Sequence, residues 1–200
     1  NRRTFTYSFW VKRSTLGTDQ RIIEASTDSS GNYVDGLEFT SDNIRIVSYH
    51  NSDDIQLITN RTFEDVSAWY HFVVAFDTTQ STESDRVKLY VNGVQETSFS
   101  TTNYPSLNYD TYFNNNSDEV YIGRRIDGGG SPSGEYFDGY LAEVVLVDGQ
   151  ALTPTSFGET NSDGVWVPIS PPTSVGTNGF HLDFEDSSSL GNDAAGSNNF

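Results

Sequence analysis

Two segments constrain this chain more than any others: Trp69-Tyr-His-Phe-Val-Val-Ala-Phe-Asp77 and Val87-Lys-Leu-Tyr-Val-Asn-Gly93. In the second, Val87, Leu89 and Val91 alternate with Lys88 and Tyr90, the period-2 pattern of a half-buried strand. Asn92-Gly93 then closes a tight turn, because both central positions of a type I′ turn need positive φ. The first segment is apolar on both faces, with Phe72, Val74 and Phe76 against Val73 and Ala75. It predicts a central strand covered on two sides.

The rest of the chain repeats this style. Helical periodicity is nearly absent, and short alternating runs are punctuated by Gly, Asn and Asp. Strands are predicted at Phe5–Lys12, Arg21–Ser26, Tyr33–Thr40, Asn43–Tyr49, Asp54–Thr59, Trp69–Asp77, Arg86–Ser98, Glu119–Arg124 and Phe137–Asp148. The one helical turn is predicted at Thr153–Glu159, capped by Thr153 with Pro154 at its first position. The expected fold class is all-β: a two-sheet antiparallel jelly-roll β-sandwich over residues 1–160. Residues 161–200 read as a C-terminal extension with one further strand near Asn178–Phe184, continuing into a longer protein.

Composition narrows the partners. The chain has 200 residues and a net charge of −17. A phosphate backbone needs clustered cations, so nucleic acid is not an expected partner. No run of about 20 apolar residues is present, so membrane insertion is not expected. There is no cysteine, which removes disulfides, thiolate catalysis and zinc–thiolate sites. An acidic surface does suit calcium, a hard cation that takes oxygen ligands.

The order of Phe5-Thr-Tyr-Ser-Phe-Trp-Val-Lys12, the Trp69 and Val87 segments, and Phe137-Asp-Gly-Tyr-Leu-Ala-Glu-Val-Val-Leu-Val-Asp148 resembles the concanavalin A-like lectin/glucanase superfamily, in its laminin-G-like and pentraxin-like branch. The tail resembles laminin-G-like proteins of phages, especially tail-fibre and virion-surface proteins of marine phages. The motifs there are Asp148-Gly-Gln-Ala-Leu-Thr-Pro-Thr-Ser-Phe-Gly-Glu159, Gly164-Val-Trp-Val-Pro168 and Asn178-Gly-Phe-His-Leu-Asp-Phe184. The resemblance implies a virion-surface or extracellular module with host-surface polysaccharide and other virion subunits as partners, assembled as a homo-oligomer. A purely architectural subunit and a bacterial or archaeal adhesin are the competing readings.

The glucanases of that superfamily carry a Glu-x-Asp-x-x-Glu strand, and no such spacing occurs here, so no enzyme is expected. Tyr104, Asn108, Tyr109, Tyr112 and Asn114 place rings and amides in one loop, either as a sugar platform or as packing for that loop. For calcium, the resemblance points to Asp127, Glu135 and Asp138 in one loop and Asp28 and Asn32 in an early one. Glu143 falls on a face with Leu141, Val145 and Val147, as a paired structural acid, a calcium ligand or a sugar contact. Trp10, Trp69 and Trp166 are expected to pack the core and the extension. His71 is expected to be satisfied by hydrogen bonds.

Overall fold

The computed structural model describes residues 1–26, 33–50, 52–115, 119–126 and 134–200. The chain order is β1 (Thr4–Arg13), β2 (Gln20–Ser26), β3 (Tyr33–Thr40), β4 (Asn43–His50), β5 (Asp53–Thr62), β6 (Tyr70–Asp77), β7 (Val87–Val91), β8 (Val94–Glu96), β9 (Phe99–Asn103), β10 (Glu119–Ile122), β11 (Gly139–Asp148), β12 (Gly158–Thr160), β13 (Trp166–Pro168) and β14 (Phe180–Leu182). Sheet one runs β14-β11-β1-β6-β7-β8, and sheet two runs β10-β2-β3-β4-β5-β9. Every paired strand within them is antiparallel. The two sheets form the expected antiparallel sandwich.

The core between the sheets is aromatic. Phe5, Tyr7, Phe9, Phe72 and Phe76 from sheet one meet Phe39, Ile46 and Leu57 from sheet two, with Phe63 and Phe113 from the connections. Phe5 and Phe76 lie opposite one another in register and stack at 4.5 Å. Such rings bury large apolar areas, and their offset contacts add about 0.5–1.5 kcal/mol per pair. A chain without disulfides relies on burial of this kind.

The hairpin forms as its alternation requires. Phe72, Val74 and Phe76 pair with Val91, Leu89 and Val87 on the core side. Asn92 and Gly93 both take positive φ, 47° and 82°. The outer face of β6 is apolar for a reason outside the hairpin: the C-terminal extension covers it. Val73, Val145 and Val147 pack under Phe157 and Val175. Thr6, Ser8 and His71 are buried by the same cover.

His71 anchors that cover. Trp166 Nε1 donates to His71 Nδ1 at 2.9 Å, and His71 Nε2 lies 2.8 Å from Ser8 Oγ. An indole nitrogen only donates, so Nδ1 is the acceptor and the ring is the neutral Nε2–H tautomer, donating to Ser8. Trp10 stacks on the imidazole at 4.6 Å. Trp166 itself lies over Gly93 and Gly158, where an added Cβ would come within 2.6 Å of the indole. The turn glycine therefore serves both backbone conformation and docking of the extension.

Three expectations are corrected. Trp69 precedes β6 and is 41% exposed, so it does not pack the core. Thr153 flanks a 3-10 turn at Pro154–Ser156 but makes no side-chain cap; its hydroxyl meets that of Thr155. Leu141 does not share a face with Glu143, Val145 and Val147: it packs against the core, while the two valines lie on the covered outer face. A bulge inserts one extra residue on β11, where Ser8 faces Val145 but Trp10 faces Ala142. Glu143 takes φ 49° there and bonds His181 Nε2 at 2.6 Å, which makes it a paired acid.

Two outcomes follow. Gly93→Ala should destabilise clearly more than Gly17→Ala. Both glycines have positive φ, at a cost of roughly 1 kcal/mol, but only Gly93 lies against a ring while Gly17 faces open space. Equal losses in urea unfolding would refute the docking role. Burial also pushes the His71 imidazole down from 6.5 to about 4. The unfolded chain takes the proton first, so His71 costs stability as pH falls from about 6.5 towards 4 and adds nothing further below. At about 1.4 kcal/mol per unit the full loss is about 3 kcal/mol. The difference between wild type and His71→Asn across that window should show the slope; parallel profiles would refute it.

Candidate functional site

The loop singled out from sequence is bound to the fold. Phe113 is fully buried and Asn114 nearly so. Asn114 Nδ2 donates to Asp148 Oδ1 at 2.8 Å, and its Oδ1 accepts from Asn178. Asn108 takes φ 60°, and its backbone N–H bonds Thr78. Tyr104 packs against the core cluster. Tyr112 sets its ring edge-on to His50 at 4.2 Å, beneath the Arg2 guanidinium. Only Tyr109 and Tyr112 are brought together, both over His50.

Beneath Tyr109 lies an arrangement that resembles a Ser-His-Asp set. Ser48 Oγ lies 2.5 Å from Asp35 Oδ1 and 3.1 Å from His50 Nε2, and that nitrogen is 3.1 Å from Asp35 Oδ1. Serine and aspartate thus meet the same imidazole nitrogen, whereas a relay needs one on each. Ser48 and Asp35 are fully buried. Asp35 Oδ2 accepts the backbone N–H groups of Tyr112 and Phe113. Burial, reinforced by Asp35 and Asp54, raises the Tyr109 phenol far above its usual range, so it stays a donor. The cluster fastens the loop to sheet two.

Of the five metal candidates, Glu135 and Asp138 are described. Asp28, Asn32 and Asp127 lie outside the described residues. Asp138 accepts from the Thr15 hydroxyl. Glu135 is paired with Arg125 and approached by Arg21 at 3.7 Å, so its charge is already matched by guanidinium. Among the described residues no group of three or more His, Asp or Glu stands ready for a metal ion.

Two cavities stand out among the described residues. The larger, about 910 Å³, opens between the sheet edges at β10 and β14 and is lined mainly by apolar groups such as Ile122, Leu146, Phe180 and Leu182. Asn115, Glu119, Asn178 and Asn198 bring polar groups to its rim. The smaller, about 390 Å³, sits on the outer face of sheet two. It is lined by Asp19, Arg21, Glu38, Arg45, Tyr49, Arg125 and Glu135, over a floor of Val34 and Val47.

Strand register builds this second pocket. Arg21 faces Glu38, which faces Arg45 on the next strand. Core-facing Ile23, Leu37 and Ile46 alternate with them, so the charges point outward. Arg21 Nε lies 2.9 Å from Glu24 and its Nη1 2.6 Å from Glu38, while Arg45 Nη1 reaches Glu38 at 3.0 Å. Gly36 makes room: a Cβ there would fall 1.7 Å from Arg21 Nη1. The backbone of residues 135 and 136 pairs with Arg21, bringing the Arg125–Glu135 pair up as one wall. Burial holds the Glu24 and Glu38 carboxyls above their ordinary range, against the opposing pull of Arg21. Tyr49, 38% exposed, supplies an open ring beside these polar groups.

The sequence reading missed this pocket, although Arg21, Glu24, Glu38 and Arg45 all occupy predicted strands. Charged residues on the polar face of adjacent strands were the available signal. Arg21→Gln should cost about 3–5 kcal/mol at pH 7, because it leaves the buried Glu24 without its guanidinium and Glu38 with Arg45 alone. Glu24 and Glu38 already hold their protons above the ordinary 4.5. Carboxyls raised in this way give stability that is present below their unfolded pKa and lost as pH rises. The variant's deficit should therefore shrink as pH is lowered towards that value. Urea unfolding of both proteins at pH 7 and pH 5 checks this; a constant deficit would rule out the ion-pair account.

The geometry can be set beside known proteins. No curated protein sequence matches the chain. Among solved structures it is similar to a native heptameric SAP-like pentraxin from Limulus polyphemus, at 18% identity and TM-score 0.53, over 76% of this chain and 66% of that one. It is similar to domain 4 of an extracellular GH43 arabinanase from Geobacillus stearothermophilus in complex with arabinotriose, at 20% identity and TM-score 0.52, over 76% and 64%. It also matches the CBM40 of Ruminococcus gnavus IT-sialidase bound to alpha2,3 sialyllactose, at 14% identity and TM-score 0.51, over 68% and 71%. At these identities the likeness is one of fold. The sequence of residues 1–156 matches the Laminin_G_3 family model, and the chain belongs to that family of the concanavalin A-like lectin/glucanases superfamily.

Proposed function

We propose that this chain is a non-enzymatic, glycan-binding structural module of a virion surface, as on a tail fibre or decoration protein, where it assembles with further copies and other virion subunits. The observation that carries the glycan reading is the pocket on the outer face of sheet two. Its volume of about 390 Å³ is in the range of a small-ligand site. An exposed tyrosine ring can stack on the apolar face of a pyranose, and the flanking arginines and carboxylates suit hydroxyls as donors and acceptors. The solved structures of this fold that hold arabinotriose and sialyllactose support the reading by analogy. The virion setting rests on the sequence resemblance of the tail to phage laminin-G-like proteins.

Charge refines the ligand. Arg21, Arg45 and Arg125, three of the nine arginines in a chain of net charge −17, line this pocket. They face Asp19, Glu38 and Glu135 in the same lining, so a neutral or weakly acidic sugar meets no strong local repulsion. Calcium is kept as a candidate cofactor through Asp28, Asn32, Asp127, Glu135 and Asp138. The Glu135–Arg125 pair would have to open for it.

A glycan array with host-derived polysaccharides, run with calcium and with chelator, tests the proposal. Saturable binding is expected, falling at least tenfold in Tyr49→Ala and Arg125→Ala with unchanged melting temperature. Clean negatives across the array would favour the architectural reading. Loss of binding on chelation alone would place calcium in the site.

A further inference from the structure

We propose that the outer face of sheet one carries a second and separate glycan contact: a flat platform of Trp69 and Tyr140 with Lys12 between them, suited to an extended uncharged polysaccharide. It lies on the opposite side of the sandwich from the sheet-two pocket and stands whether or not that pocket binds sugar.

The register places these side chains together. Lys12 and Tyr140 are direct partners across β1 and β11. Val11 faces Tyr70 in the last pair of β1 and β6, so extending that register by one position would set Trp69, just before β6, beside Lys12. Val11 and Tyr70 belong to the core and Leu141 packs against it, which turns Lys12, Trp69 and Tyr140 outward. At about 4.8 Å per strand spacing the two aromatic positions are roughly 10 Å apart, a span longer than one pyranose ring. Gly139 allows the close approach, since a Cβ there would come within 2.3 Å of the Lys12 carbonyl oxygen.

Elsewhere this face is covered. Phe157 and Val175 bury its valines, and Trp166 closes over His71. Beyond the Trp10–His71 stack the cover gives way, leaving Trp69 41% and Tyr140 61% exposed. Large rings lying on a sheet are usually sequestered, so an open row of them marks a contact surface. No enclosed cavity is needed for this contact, because a platform meets the broad face of a chain lying along it. Charge selects the occupant. A net charge of −17 disfavours a polyanion, and Lys12 supplies a donor for hydroxyls without making a basic patch.

The experiment is retention of the whole chain on insoluble cellulose and chitin, with alginate as the anionic comparison. Retention on at least one neutral polymer is expected, reduced at least fivefold by Trp69→Ala or Tyr140→Ala. Trp69→Phe should keep it, and Tyr49→Ala should leave it unchanged. Of the three tryptophans Trp10 is buried and Trp69 is the most open, so binding should blue-shift emission in wild type and not in Trp69→Phe. No retention on either neutral polymer, or equal retention by the alanine variants, overturns the proposal. So does a change in sedimentation on Trp69→Ala without a change in retention, which would make the face a subunit contact. Failure of Tyr49→Ala on the glycan array bears only on the sheet-two pocket.

Discussion

Sheet one is covered on both faces, and much of the molecule follows from that asymmetry. Its inner face meets the aromatic core, and half of its outer face lies under the C-terminal extension. Central strands can therefore be apolar throughout, and polar groups on the covered side must find partners within the protein. Thr6 does so by accepting from the Leu152 N–H and donating to the Gln150 carbonyl. Ser8 and His71 do so with each other and with Trp166. The extension holds its own course through Asp193, whose carboxylate accepts the N–H groups of His181, Ala195 and Asn198 and is kept below its usual range by those bonds despite burial. On the charged face of sheet two the backbone of residues 126 and 135 closes over Glu24 and Arg21, and the polar residues there pair with one another.

The frame was legible because it is written in nearest neighbours. Alternation at Val87–Val91 and the Asn92-Gly93 pair specify strand and turn without reference to anything distant. The double-sided apolarity of β6 could also be read, but not the identity of what covers it. Bulges were invisible. The extra residue at Glu143 reverses which side chains face inward, and a period-2 reading carried through it puts Leu141 on the wrong face. Trp69 was misplaced for a related reason: a tryptophan beside an apolar strand reads as core, and only register shows that it lies just before β6, open to solvent.

The candidate site was harder to read because it is assembled from three strands and a distant wall. Arg21, Glu38, Arg45 and Glu135 are adjacent only after β2, β3 and β4 pair and residues 135–136 return to β2. The Tyr104–Asn114 segment had the opposite problem. Rings and amides crowded in one loop fit a sugar or a sheet equally well, and loops have no periodicity to decide between them. The group that fastens the segment to sheet two is Asp35, which no feature of the loop itself indicates.

The two proposed surfaces differ in how much order they already possess. In the sheet-two pocket Arg21 is fixed by two buried carboxylates and Arg45 by one of the same pair, so strand backbone sets their positions. Arg125 and Glu135 stand on the connecting segment and are more open to solvent. A ligand there would meet one rigid side and one that can adjust, which limits the ordering cost of binding without surrendering geometry. The sheet-one row has only the rigidity of its strands. Its rings are aligned by the ladder, and its specificity must come from flatness and spacing. The first arrangement discriminates between sugars; the second holds a polymer of roughly suitable shape.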